Sequence, residues 1–111
     1  MINYQHKDLA AGRWSQLSFL EQMANIGSEV ERFLNWKLKN NVSYSQSSFE
    51  RSLELLDLTM GDFKNKFRLK ELARVRESLV DFFLETNQYG STEASWKKYF
   101  LCFTYAARRH F

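Results

Sequence analysis

Proline is absent from this chain and glycine occurs only four times. With so little to interrupt a helical backbone over long stretches, an all-helical fold is expected. A single cysteine, Cys102, excludes an internal disulfide and gives no sign of an oxidising compartment. No run approaches the ~18 apolar residues of a membrane span, and the opening MINYQHKDLAAGRW lacks the apolar stretch of a secretion signal. These features predict a cytoplasmic protein with no membrane partner. The only histidines, His6 and His110, sit at opposite ends of the chain. There is no C-x-x-C, no glycine-rich phosphate loop, no G-x-S-x-G and no Glu-x-x-His pair of a carboxylate-bridged metal site. The Arg-x-x-x-x-His spacing of small helical ribonucleases is missing too, because AARRHF puts His110 next to Arg108 and Arg109. The expectation is a protein that is not an enzyme and carries no cofactor or metal.

What is present is ample material for a core. Of 111 residues, 44% are hydrophobic and 16% aromatic, enough for one domain that buries roughly two-thirds of its unfolded surface. Residues 1–15 read as a polar arm on that single domain. Ser18 and Glu21 have capping-box spacing and open a helix, in which Met23, Ile26, Val30, Phe33 and Leu34 form one apolar stripe. Gly27 inside that stripe costs about 1 kcal/mol against alanine, so a close helix–helix approach is expected there. NNVS turns the chain. Ser43 and Gln46 repeat the capping spacing before SQSSFERSLELLDLTM, whose inner stripe is Phe49, Leu53, Leu56 and Met60. Gly61 and Asp62 break the chain, and a third helix over about 64–87 turns Leu72, Val75, Leu79, Phe82 and Phe83 inward. NQYGST is the clearest turn signal, with Gly90 as a stop and Ser91 or Thr92 as the next cap. The last segment, EASWKKYFLCFTYAARRHF, buries Trp96, Phe100, Phe103 and Ala107. Four such segments joined by short polar turns predict an antiparallel up-down four-helix bundle. Cys102 reads as a small packed side chain, and Trp14, Trp36 and Trp96 as packing or interface residues.

Charge is unevenly spread. Residues 1–63 carry six basic and eight acidic groups, whereas 64–111 carry ten and five. The excess is densest in KNKFRLKELARVRE, residues 64–77. At ~100° per residue, Lys66, Lys70 and Arg74 align opposite the apolar stripe, with Glu77 and Asp81 continuing the row. Taken alone the row fits a solvated helix back as well as a polyanion-binding face. Lys97, Lys98, Arg108 and Arg109 on the neighbouring helix could extend it into a basic strip suited to phosphates, whatever the nucleotide sequence. Arg68 and Arg76 fall beside the apolar arc and read as structural; their stems either pass the core or meet acids, with Glu31 and Asp57 as natural partners. Trp36, Leu55 and Leu58 fall off the inner stripes, which marks them as an exposed oligomer interface.

The phrases HKDLAAGRW, LSFLEQMANIGSEVER, FERSLELLDLT, LKELARVRESLVDFF, YGST, WKKYF and YAAR together resemble a group of short bacterial helical proteins, a resemblance that implies no activity. In size, helix count and basic character the chain is also similar to the four-helix-bundle group of ribosomal-RNA intervening-sequence proteins. That group includes the accessory variability determinants of diversity-generating retroelements. The second resemblance implies an oligomeric nucleic-acid-binding helper of a reverse transcriptase, with no catalytic residue. The resulting expectation is a homo-oligomeric accessory protein that binds RNA or DNA through Lys66, Lys70, Arg74, Lys97, Lys98, Arg108 and Arg109. The alternative is a protein–protein adaptor with an apolar docking patch and no nucleic-acid binding.

Overall fold

The computed structural model describes residues 12–85 and 87–109, and among these the chain is all-helical. Four helices carry the fold: α1 (Phe19–Leu38), α2 (Val42–Met60), α3 (Leu69–Phe83) and α4 (Glu93–Arg108). Two 3-10 segments, Trp14–Gln16 and Phe63–Arg68, lead into α1 and α3. α1 is the central element, packed along both α2 and α4, and α3 lies against α2.

The caps explain where the helices start. Ser18 accepts from the Glu21 amide while the Glu21 carboxylate accepts from the Ser18 amide, which completes the box read from the sequence. These hydrogen bonds hold the Glu21 carboxyl below its ordinary range. Thr92 and Ser95 form the corresponding pair at the head of α4. Helix α2 departs from expectation. Its cap is Asn41, which accepts from the Tyr44 amide at 3.1 Å, and Ser43 lies inside the helix. The reversal needs a left-handed residue before the cap, and Asn40 (φ 56°) provides it at lower cost than most side chains.

The expected inner stripes of α1, α3 and α4 face the core. The stripe of α2 is rotated. Its buried residues are Ser45, Ser48, Phe49, Ser52, Leu55, Leu56 and Thr59, so the seam against α1 runs through serines. The expectation for Leu55 is therefore corrected: it is 3% exposed and belongs to the core. Tracking apolar side chains alone missed this face, because serine is buried when its hydroxyl is satisfied locally. Ser52 donates to the Phe49 carbonyl at 2.6 Å, and Thr59 donates to the Leu55 carbonyl at 2.8 Å.

The close approach expected at Gly27 is present. A Cβ there would lie 2.7 Å from Cβ of Phe100 on α4, inside contact distance. Arg76 also finds its expected partner, with Nε 2.8 Å from Oδ1 of Asp57. Arg68 packs its guanidinium over the Phe19 ring at 4.2 Å instead of meeting Glu31. A buried carboxylate that the pattern did not reveal is Glu29, bonded to Arg32 at 3.0 Å.

Candidate functional site

The basic stretch is built from a cap outward. Asp62 accepts from the Lys64 amide and starts the 3-10 segment Phe63–Arg68, so α3 begins at Leu69 and not near residue 64. The cause is Asn65, which is 1% exposed. Its side-chain amide donates to Oε1 of Gln22 at 2.8 Å and to the Thr59 carbonyl at 3.0 Å. Gln22 in turn donates to the Trp14 carbonyl at 3.0 Å and to Asp62 at 2.9 Å. Trp14 closes the set by donating its indole N–H to Thr59 at 2.9 Å. This network ties the N-terminal 3-10 turn, α1 and the end of α2 to the segment, and its hydrogen bonds leave little freedom of placement.

Pinning Asn65 inward turns its neighbours outward. Phe63 is 78% exposed and Phe67 is 90% exposed, although burying a Phe side chain is worth about 1.5–3 kcal/mol. Lys66 places its ammonium 4.5 Å from the Phe63 ring centre and 5.0 Å from that of Phe67. Lys64 is otherwise engaged, paired with Asp62 and donating to the Ser15 carbonyl at 3.0 Å. Burial alone would raise the Asp62 carboxyl, but hydrogen bonds from Lys64 and Gln22 prevail and hold it below its ordinary value. Lys70 and Arg74, both exposed, continue along α3 one turn apart.

At its far end α3 stops at Phe83, short of residue 87, because Asp81 folds the chain back by accepting from the amides of Gln88 and Tyr89. Between α3 and α4 lies a cleft of about 340 Å³ lined by Glu71, Arg74, Ser95, Trp96 and Tyr99. Tyr99 donates to Glu71 at 3.4 Å; burial, reinforced by the Glu71 carboxylate, raises its phenol well above the ordinary value. A second cleft, about 380 Å³, separates α1 from α4, and Lys97, Lys98 and Arg108 line it together with Glu31 and Gly27. The seven basic residues singled out in the sequence thus divide. Lys66, Lys70 and Arg74 follow the approach to α3 and its first turns, whereas Lys97, Lys98 and Arg108 gather at the α1–α4 cleft. Lys97 is paired with Glu93 at 3.2 Å, and Arg109 packs over the Tyr105 ring at 5.9 Å. Lys66 also leaves the helical row expected for it, since it precedes α3.

The apolar surface lies elsewhere than expected. Leu58 is half-buried against the core, and Trp36 is half-buried edge-on to Tyr44 at 4.8 Å with Lys39 above its ring. Beside Trp36, the turn between α1 and α2 exposes Leu38, Val42 and Tyr44. Cys102 is exposed and not packed as expected, its thiol donating to the Lys98 carbonyl at 3.5 Å.

Sequence reasoning missed Phe63 and Phe67. The available signal was FKNKF itself, in which aromatic and basic residues alternate around one asparagine. His6 and His110, like the arm through residue 11, lie outside the described residues. Among the described residues no cluster of His, Cys, Asp and Glu could hold a metal ion, and no helix is long and apolar enough to cross a membrane. Compared with known proteins, the chain matches no family model, no curated protein and no solved structure.

Proposed function

We propose that this protein is a non-enzymatic nucleic-acid-binding accessory protein that grips RNA or DNA backbone without reading its sequence. The observation that carries this reading is the run Phe63, Lys66, Phe67, Lys70 and Arg74, a solvent-facing basic and aromatic surface mounted on a buried polar network. Exposed ammonium and guanidinium groups in such a run attract phosphate whatever the base sequence. Lys97, Lys98 and Arg108 supply a second cationic locus at the α1–α4 cleft.

The architecture proposed with it is an antiparallel up-down bundle. Supporting pairs are Phe33 with Phe49 and Gln22 with Asp62 for the first hairpin, then Asp57 with Arg76 and Phe49 with Phe83 for the second. Gly27 with Phe100 and Phe19 with Phe103 align α4 on α1 in the same alternating sense. Homo-oligomerisation, which would multiply weak phosphate contacts, and service to a reverse transcriptase belong to the same proposal.

The test is binding of short RNA and DNA strands at ~50 and ~200 mM salt by the wild-type protein and by the triple variant Lys66→Glu, Lys70→Glu, Arg74→Glu. With three phosphate contacts on a single strand, affinity should fall about 20-fold across that range. The triple variant should lose binding with helicity unchanged; binding that survives it rejects the surface. A second reading is favoured by one observation, the exposed Leu38, Val42 and Tyr44 beside Trp36. A protein-docking turn of this kind would bind its partner with little dependence on salt.

A further inference from the structure

Segment 63–68 inverts the usual distribution of residues. The side chain of Asn65 is buried with its Nδ2 donating two hydrogen bonds, while the two phenylalanines two positions to either side stand in solvent. The inversion is built in, because Gln22 and the Thr59 carbonyl accept from the Asn65 side chain and Asp62 ties Gln22 to the same segment. A local rule broken with such support marks a functional surface and not a packing accident.

We infer that this surface binds a single-stranded nucleic acid, with unpaired bases stacked on Phe63 and Phe67 and the adjoining phosphates on Lys66, Lys70 and Arg74. The inference rests on the nucleic-acid reading above and specifies its ligand. A ring that stands proud of the surface finds a free π-face only on a base outside a duplex, where bases already stack on one another. The Lys66 ammonium lies over one face of each ring, so a base stacks on the opposite face while the same cation meets the adjoining phosphate. Lys70 and Arg74 are one helical turn apart, about 6 Å along α3, a step comparable to that between successive phosphates of an extended strand. The rings and Lys66 on the 3-10 segment are followed in the chain by Lys70 and Arg74 on α3, a succession of stacking and cationic groups that suits a strand of bases and phosphates.

The experiment is fluorescence anisotropy on the full chain with a labelled oligothymidine of about 12 nucleotides, the same strand made abasic, and a duplex of equal length. Vesicles containing phosphatidylserine form a fourth arm. The variants are Phe63→Leu with Phe67→Leu, which keeps apolar area and removes the π-faces, and Lys70→Glu with Arg74→Glu. Because both rings are exposed, thermal melts of the leucine variant should match the wild type.

The expected result is tighter binding to the thymidine strand than to the duplex or the abasic strand. The leucine variant should lose about 5- to 150-fold per ring on the thymidine strand and nothing on the abasic one. The glutamate variant should weaken both. Equal affinity for strand and duplex, with no effect of the leucine change, overturns the single-strand inference while the backbone-binding reading stands. Absence of nucleic-acid binding at low salt overturns both. Vesicle binding in that case, retained by the leucine variant, would reassign the surface to an anionic membrane.

Discussion

The two ends of α1 are held by different physics. Around Gln22 the contacts are directional, with Trp14, Thr59, Asp62 and Asn65 joined by hydrogen bonds of 2.8–3.0 Å. Around Phe33 they are aromatic: its ring meets Phe49, Phe82 and Phe83 edge-on at 5.6–6.3 Å, and Phe49 stacks on Phe83 at 4.0 Å. Dispersion and area burial tolerate small adjustments of geometry; a saturated polar network does not. The candidate nucleic-acid surface is attached to the polar end. Directional bonds can hold a short irregular segment with its aromatics outward, which a purely apolar contact would have pulled in.

Changes at four positions would break or sharpen this contrast. The largest effect is expected at the aromatic end. Phe33→Ala should cost about 3–5 kcal/mol by urea unfolding, whereas Phe33→Leu should cost no more than about 1.5 kcal/mol. At the polar end a near-isosteric change should not be forgiven. Gln22→Leu removes one acceptor from the Asn65 amide and one donor each from Asp62 and the Trp14 carbonyl, and should cost about 2–3 kcal/mol. It should also speed amide exchange at Lys64 and Asn65. If it costs no more than Phe33→Leu, the two ends are not different in kind.

Midway along α1, Gly27→Ala gains about 1 kcal/mol of helix propensity but drives a methyl into Phe100, a clash worth about 1–3 kcal/mol. A net loss near 1 kcal/mol is expected, and a net gain would show that α4 shifts freely on α1. The smallest effect concerns acid. The Asp62 carboxyl is held below its ordinary value of 3.8, so its contribution is present above that value and is lost as pH falls through the folded one. Asp62→Asn should therefore flatten the fall in stability below about pH 4, as read from unfolding curves at several pH values. An unchanged acid limb would place the sensitivity in other carboxylates.

Much of the fold was legible because it depends on local chemistry. The capping box at Ser18, a cap at Ser91 or Thr92, the Gly27 contact and Asp57 as a partner for a helix-three arginine follow from residue type and spacing along one or two helices. Leu55 misled because burial on α2 is decided by serines that are apolar in effect once their hydroxyls bond the preceding turn. Lys66 misled because no helical period warns that Asn65 will be held by Gln22, forty-three residues away.

What the sequence determined by itself is therefore the set of helices, most of their inward faces and the concentration of positive charge after residue 63. These are properties of neighbouring residues, and an α-helix reads its neighbours at fixed intervals. Only the tertiary structure decided that Asn65 lies inside while Phe63 and Phe67 lie outside, and that Lys66, Lys70 and Arg74 stand apart from Lys97, Lys98 and Arg108 at the α1–α4 cleft. Those outcomes depend on long-range hydrogen bonds and on which helices pack together, quantities that have no period in the chain.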